Sequence, residues 1–497
     1  MKAMKGLLLG TAAGMVAISG AQAADLPVKA KPVEYVKVCS LYGAGFFYVP
    51  GTDTCLKIGM YIRSDHAYGN AAIVSGVYST TNSNTRTTTD LYSYRARVNL
   101  TTDWRTQSDY GVIRAYAAIQ VQQSSGDLSI NANSLGAPAS TGQAGILRAF
   151  IQFAGFTVGH AVSFFDFFNG ADYGYVPGFN ASTGVNGIDI LGYTWQLGNG
   201  VSVSVDIEDG SGAGSSTAPG TARSRNVVNA SAAAQLGNGI TADAQRAWTP
   251  DIAGNIRIDQ AWGSAQLSAA FHNLSGGYYS TGNVPFVATV NGHPGDEWGY
   301  ALGAGFRLTN FLQPKDTLEA QFVWANGAAS YTHTNPANFT YGSGNSFGMG
   351  YVLDGVFVTG SGIEKTDTWK AELGYQHYWN AQWRTSVYAI WTGVEYSDTA
   401  RNMLCGVTGS AALYTNVAGT PANCSPNFTQ RNFSTRTAWN PHPSLEIGLD
   451  LIYWHLDTAN AGAQVLNTNG SRVAGPYIAE DQDRYMAVLR FQKTILP

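Results

Sequence analysis

From Leu56 the chain alternates, with Leu56, Ile58, Met60 and Ile62 interleaved by Lys57, Gly59, Tyr61 and Arg63. Successive side chains of a strand point to opposite faces, so this pattern builds one apolar face and one polar face. It recurs three times in quick succession. Tyr94, Ala96, Val98 and Leu100 alternate with Arg95, Arg97, Asn99 and Thr101; Ile113, Ala115, Ala117, Ile119 and Val121 with Arg114, Tyr116, Ala118, Gln120 and Gln122; and Leu147, Ala149, Ile151 and Phe153 with Arg148, Phe150 and Gln152. Four consecutive segments therefore place arginine on the polar face. A soluble sandwich core would bury those cations at high cost, whereas a water-filled tube removes the penalty and turns the apolar face toward lipid.

The connections alternate too. Those between Leu100 and Tyr110 and at Ala154-Gly155 are short, while Ala67 to Tyr92 and Ser124 to Gly145 are long and polar. Next comes the stretch Phe164 to Asp189, opening Phe164-Phe165-Asp166-Phe167-Phe168, a long aromatic loop of the kind that is usually functional. Leu191-Tyr193-Trp195 leads into Gly198-Asn199-Gly200, a strong hairpin signal, and then Val201, Val203, Val205 and Ile207 alternate with Ser202, Ser204, Asp206 and Glu208. The signal blurs from Gly210 to Trp248: Gly210 to Arg225 reads as a loop, and the alanine-rich Val227 to Leu236 is either an extra hairpin or part of that loop. It returns at Ile252, Ile256 and Ile258 and turns at Trp262-Gly263. Further strands begin near Trp298, Leu318, Trp369, Arg384, Asn432, Leu445 and Arg484. The expectation is an all-β transmembrane antiparallel barrel of about sixteen strands, with its third long loop folded inward. Trp104, Trp195, Trp262, Trp298, Trp324, Trp369, Trp379, Trp383, Trp439 and Trp454 fall beside turns, as interfacial girdles do.

Composition supports the same class. Only 12% of the 497 residues are charged, about half the soluble norm, and 58 are glycine; mean hydropathy is −0.10, and after the N-terminus no run of about twenty apolar residues supplies a spanning helix. Lys2 and Lys5, the apolar Gly6 to Ile18 and Ala21-Gln22-Ala23 read as a signal peptide over 1–23, with the mature chain starting at Ala24. A periplasmic-side segment is expected over 24–54 and the barrel over 55–497. The small net charge of −4 gives no reason to expect nucleic acid. Four cysteines in an exported chain point to two disulfides. Pairing neighbours gives Cys39 with Cys55 and Cys405 with Cys424, and the other two connectivities stay open. No histidine falls at ligand spacing from either pair, so neither a metal site nor any other cofactor is expected.

Several motifs resemble the general porins of the alphaproteobacterial outer membrane. They are the Ala-Asp-Leu-Pro-Val-Lys sequence at 24–29, Val38-Cys39-Ser40-Leu41-Tyr42-Gly43-Ala44-Gly45-Phe46 leading to Pro50-Gly51-Thr52-Asp53-Thr54-Cys55, Ser163-Phe164-Phe165-Asp166-Phe167, and Ile258-Asp259-Gln260-Ala261-Trp262-Gly263-Ser264-Ala265-Gln266. The resemblance covers essentially the whole chain. It implies a sixteen-stranded, trimeric, passive diffusion pore whose third long loop narrows the channel, in contact with outer-membrane lipid and lipopolysaccharide and admitting small hydrophilic solutes and ions. One departure is the ending Leu496-Pro497, where that family commonly ends on phenylalanine; it implies less efficient recognition by the assembly machinery.

With the loop in the tube, Asp166, Asp172 and Asp189 are expected to face a wall carrying Arg63, Arg95, Arg97, Arg114 and Arg148, and the field between them would tune ion preference. For the arginines, Arg63 and Arg114 above all, the competing role is pairing with loop carboxylates near strand ends, and for the aspartates, Asp189 above all, it is a turn or cap. Enzyme chemistry finds little support. Gly344-Asn345-Ser346-Phe347-Gly348 has the nucleophile-elbow pattern but no following helix, and Ser268 and His272 share a face without a third partner. A sugar-type selective channel, with Tyr61, Tyr116 and Phe150 as lumenal aromatics, and a surface receptor or adhesin using loops 325–367 and 397–430 are the alternatives.

Overall fold

The computed structural model describes residues 37–69, 91–125, 143–176, 182–184, 186–209, 223, 225–230, 249–279, 292–333, 338–343, 346–406, 424–466 and 475–496. The expected signal peptide lies outside them.

Sixteen antiparallel strands form one closed sheet: β1 Cys55–Gly69, β2 Tyr92–Ser108, β3 Gly111–Ser124, β4 Gln143–Phe153, β5 Phe156–Ala161, β6 Ile188–Gly198, β7 Val201–Glu208, β8 Asp251–Gln260, β9 Gly263–Leu274, β10 Glu297–Thr309, β11 Thr317–Asn326, β12 Asp367–Tyr378, β13 Trp383–Glu395, β14 Phe428–His442, β15 Leu445–Asp457 and β16 Gln482–Leu496. Each pairs with its neighbours in sequence, and β16 closes the ring on β1, from Tyr61↔Thr494 to Gly69↔Met486. The sheet has no free edge. Asn199 and Gly200 both have positive φ, 51° and 75°, as the tight Asn-Gly turn between β6 and β7 requires.

The hydrophobic arrangement is the reverse of a soluble protein's. Ile62, Val98, Ile151, Leu191, Phe271, Leu302 and Leu449 are exposed on the outside, while Asp65, Arg95, Gln122, Asp206, Glu319 and Asn432 are buried on the inside. A continuous outward apolar band on a closed barrel is a lipid-facing surface. Tryptophans mark both rims. Trp104, Trp195, Trp262, Trp379, Trp383 and Trp439 sit toward the short-turn end, and Trp298, Trp324 and Trp369 toward the long-loop end. Trp454 is the exception to the expected girdle: its position in the alternation of β15 turns it inward, where it is buried beside Ile452, Met486 and Val488.

The third long connection, 162–187, belongs to the expected aromatic loop. Of the stretch Val227 to Leu236 only 227–230 are described, and there Val227–Asn229 runs parallel to Gly355–Phe357 among the long loops rather than in the barrel; 231–248 lie outside the described residues. The long loops also build a four-stranded sheet from Asn338–Ser343, Ser346–Tyr351, Gly475–Ala479 and Gly462–Leu466, plus a helix, α1, Asp398–Gly406. These share a core of Val228, Tyr351, Leu353, Val356, Tyr396, Leu404 and Phe428. Ser346 therefore opens a strand and precedes no helix, against an elbow.

Both neighbour disulfides are present, Cys39–Cys55 and Cys405–Cys424. The first ties the segment before the barrel to the start of β1, where Phe47–Tyr48 also pairs with Leu56–Cys55. The second joins the end of α1 to the approach to β14. Rings of this length stabilise by about 3 kcal/mol, mainly through the unfolded chain.

Candidate functional site

The connection between β5 and β6 lies against inward-facing glycines of the wall. A Cβ placed on Gly192 or Gly305 would come within 2.5 Å of the rings of Phe164 and Phe167, one on Gly374 within 2.5 Å of the Tyr173 ring, and one on Gly448 within 1.9 Å of the Tyr175 hydroxyl. Gly303 faces Phe165 in the same way, at 3.3 Å. Glycine within a strand commonly marks a close approach of this kind. Five rings of one loop thus lie where the wall offers no side chain.

Polar bonds fasten the same path. Near its start the Phe164 N–H donates to Asp206 of β7 (2.9 Å), Asn255 of β8 donates to the Phe164 carbonyl (2.5 Å) and Ser268 of β9 to the Phe165 carbonyl (2.7 Å). Farther round, the Phe168 N–H donates to Gln321 (3.0 Å) and the Tyr173 hydroxyl to Glu319 (2.9 Å), both on β11, and Ser386 of β13 donates to the Tyr173 carbonyl (2.6 Å). On β15 the Tyr175 N–H donates to Asp450 (2.6 Å) and its hydroxyl to Glu446 (2.7 Å). The Tyr175 ring then covers the Arg490 guanidinium of β16 at 3.8 Å. The loop therefore follows the inner wall from β7 round to β16. On its return Thr183 and Gly184 accept hydrogen bonds from Arg148 of β4 (3.2 and 2.6 Å).

Where the path ends, the wall is cationic. Arg490, Asp65 and Arg95 are opposite one another across β16, β1 and β2, and the next row holds Gln492, Arg63, Arg97 and Gln122. Asp65, 0% exposed, accepts from Arg95 Nε and Nη2 (2.9 and 2.6 Å) and from Arg490 Nε and Nη2 (2.6 and 3.3 Å). Arg63 bonds the Gln492 amide oxygen (2.8 Å) and Arg97 that of Gln122 (3.0 and 2.6 Å). Among the described residues, Asp65 is the one carboxylate bonded to any of these four arginines.

The structure divides the residues singled out in the sequence into five groups. Arg63, Arg95 and Arg97 form one wall, together with Asp65 and Arg490, which sequence reading missed. Arg148 and Asp166 meet near the root of the loop: Asp166 accepts from the Thr183 N–H and hydroxyl (both 2.6 Å) and lies 3.6 Å from Arg223, so it fastens the loop to itself and to the next long connection. Asp172 is solvent-accessible, and its carbonyl accepts from Arg436; desolvation by the surrounding wall raises its carboxyl above the ordinary aspartate range, opposed by Arg307 and Arg436. Arg114 sits apart near the short-turn end, bonded to Asp103 (3.0 and 3.1 Å) and Gln152 (2.9 Å); it pairs near a strand end, with a carboxylate of β2 rather than of a loop.

Asp189 corrects the expectation. It shares the outward face of β6 with Leu191, Trp195 and Leu197 and pairs with His160 of β5 at 2.7 Å. The reason is the two-residue period: Ile188 and Ile190 point inward, which turns Asp189 out. Ser268 and His272 form no pair either, since Ser268 holds the loop and His272 bonds Asp251 (2.6 Å).

The partners that sequence reading missed carried one faint signal. Gly192, Gly303, Gly305, Gly374 and Gly448 all fall on polar-face positions, but only the paired fold shows which ring each one receives.

A closed antiparallel barrel with lipid outside, a charged inside and one long loop along its inner wall is the architecture of an outer-membrane channel. Residues 25–483 match the Porin subfamily, and the chain belongs to that family. It is a multi-pass porin of the outer membrane. Among curated relatives it is 31% identical to porin Omp2b of Brucella suis over 275 residues, 54% of this chain and 67% of the relative, and 35% identical to porin Omp2a of Brucella melitensis over 210 residues, 40% of this chain and 54% of the relative. Among solved structures it resembles the outer membrane channel DcaP of Acinetobacter baumannii, at a TM-score of 0.56 and 13% identity over 90% of this chain and 99% of that one. At that identity the likeness concerns the fold.

Proposed function

We propose that the protein is a passive diffusion pore for small hydrophilic solutes and ions, narrowed between the loop 162–187 and the arginine wall of β16, β1 and β2. The observation that carries this is the fastening of the loop along the inner wall as far as Arg490, beside four guanidinium groups of which two, Arg95 and Arg490, share Asp65 while Arg63 and Arg97 bond glutamine amides. A narrow aqueous gap lined by fixed positive charge concentrates anions, while its width sets the size limit. Asp172 opposes that charge from the loop side. Asp166 and Arg148 hold the loop in place and Arg114 lies outside the narrow zone. Transport is downhill and uses the field already built into the wall.

The reading extends to assembly. The mature chain starts at Ala24, residues 24–54 lie on the periplasmic side, the barrel associates as a homotrimer, and its outer face meets lipid and lipopolysaccharide. The test is single-channel recording of the purified protein in a planar bilayer, with reversal potential under a salt gradient, for wild type and Arg63→Gln/Arg97→Gln. Openings that close in three steps, with a reversal potential displaced toward cations in the variant, are expected. An unchanged reversal potential removes this wall from the narrow zone, and folded protein without openings refutes the pore.

A further inference from the structure

Below the root of the loop, on the short-turn side, the inner wall of β4 to β9 contains a cavity of about 380 Å³ whose lining differs from the rest of the lumen. Across β16, β1 and β2 the wall carries four arginines and Asp65. In the cavity uncharged hydroxyls and amides dominate. Thr194, Ser204, Asn255 and Ser268 stand directly opposite one another across β6, β7, β8 and β9, and the first three line the cavity. Gln152 and Thr157, opposite one another on β4 and β5, extend the polar lining.

Two further features point to a ligand. Phe150 opens onto the cavity and is stacked on Tyr116 at 5.3 Å with 25° between the planes, so its ring is a held platform. Asn255 uses its Nδ2 on the Phe164 carbonyl, while its buried Oδ1 has no partner among the described residues. A buried amide oxygen without a donor costs free energy that an incoming hydroxyl would recover. Charge enters through Arg148, Asp166 and Arg257. Arg148 is engaged by the loop carbonyls, Asp166 by Thr183 and Arg257 by Asp259.

An aromatic platform beside a row of neutral donors and acceptors, in a volume fit for a small molecule, matches a polyhydroxylated solute. We propose that this cavity is a binding subsite for a small neutral sugar of monosaccharide size, on the periplasmic side of the narrow zone. The inference rests on the pore reading and names a solute class for it. The subsite binds weakly, as a transit site must if the solute is to leave.

The test is current-noise analysis of single channels with glucose added to the short-turn side, alongside ethylene glycol as a small non-ring control and glycerate as a carboxylate-bearing one. Expected are saturable interruptions by glucose, absent with ethylene glycol, and an affinity reduced about fivefold in Ser204→Val, the effect of one lost hydrogen bond. Phe150→Leu, which keeps the bulk and removes the ring face, weakens glucose further relative to glycerate. Glucose passing without saturable interruption, or both variants binding like wild type, overturns the subsite. Stronger interruption by glycerate than by glucose overturns the neutral class and hands the site to Arg148 and Arg257. A protein that gives no openings fails the pore reading itself, whereas normal openings without glucose events fail only the subsite.

Discussion

Asp65 is the residue whose loss has the most to say about the arginine wall. It is fully buried and receives four hydrogen bonds from two guanidiniums, between 2.6 and 3.3 Å. Arg95 and Arg490 are themselves only 3% and 6% exposed, so solvent screening does little for them. In Asp65→Asn the shape is kept but the negative charge is gone, so Arg95 and Arg490 lose the carboxylate they share. Breaking a buried pair by removing one partner costs about 3–5 kcal/mol, because the remaining charge stays buried and uncompensated. The four gross bonds would suggest more, but hydrogen bonds to charged groups contribute only about 1.5–3 kcal/mol each and are not additive. We predict a loss of about 3–5 kcal/mol, read as a lower denaturant midpoint at constant slope for barrel folded in lipid vesicles. The same variant raises the fixed positive charge of the wall by one, so its reversal potential moves toward anions. Adding Arg490→Gln recovers part of the lost stability, since it removes one of the stranded cations. A midpoint within about 0.5 kcal/mol of wild type, the range of an ordinary surface substitution, would refute the reasoning.

Two other perturbations test the loop. Gly374→Ala places a methyl group 2.5–2.7 Å from three atoms of the Tyr173 ring, which cannot be relieved by moving a side-chain tip; the ring must leave its seat, and noisier openings of altered conductance are expected, with unchanged single-channel traces counting against the seat. Asp172 titrates above the ordinary aspartate range because the wall desolvates it. As pH falls through that raised value it is neutralised and the lumen loses a negative charge, so anion preference should rise from a higher pH than a free aspartate would allow. Reversal potentials between about pH 7 and about pH 4 should show that step in wild type and lose it in Asp172→Asn; its persistence in the variant assigns it elsewhere.

The sequence by itself determined the barrel. A side-chain period of two leaves no choice of face once one side meets lipid, so the strands, their number, the inward arginines and the third long loop were all legible in the order of residues. The same rule, applied with the observed register, is what moves Asp189 outside with His160 and turns Trp454 inward. The period fixes relative faces along a strand, but only the strand boundaries say which residues of a loop's end belong to it. Neighbour pairing of the cysteines was readable as one of three possibilities, and the fold chose it by bringing Cys39 to Cys55 and Cys405 to Cys424.

What only the tertiary structure decided is the set of contacts between residues far apart in the chain. Asp65 meets Arg490 because β16 returns to β1, and Tyr175 meets Gly448 because the loop runs along the wall. Such pairings depend on closure and register, which leave no local pattern in the sequence. The expectation that loop aspartates would confront wall arginines drew on the inward loop that the resemblance implies and on opposite charge. In the folded chain the aromatic rings sit in the glycine gaps, Asp166 is bound within the loop, and Tyr175 reaches the arginine wall. Ring burial and hydrogen bonding fix where a loop lies, and charge then acts across whatever gap is left.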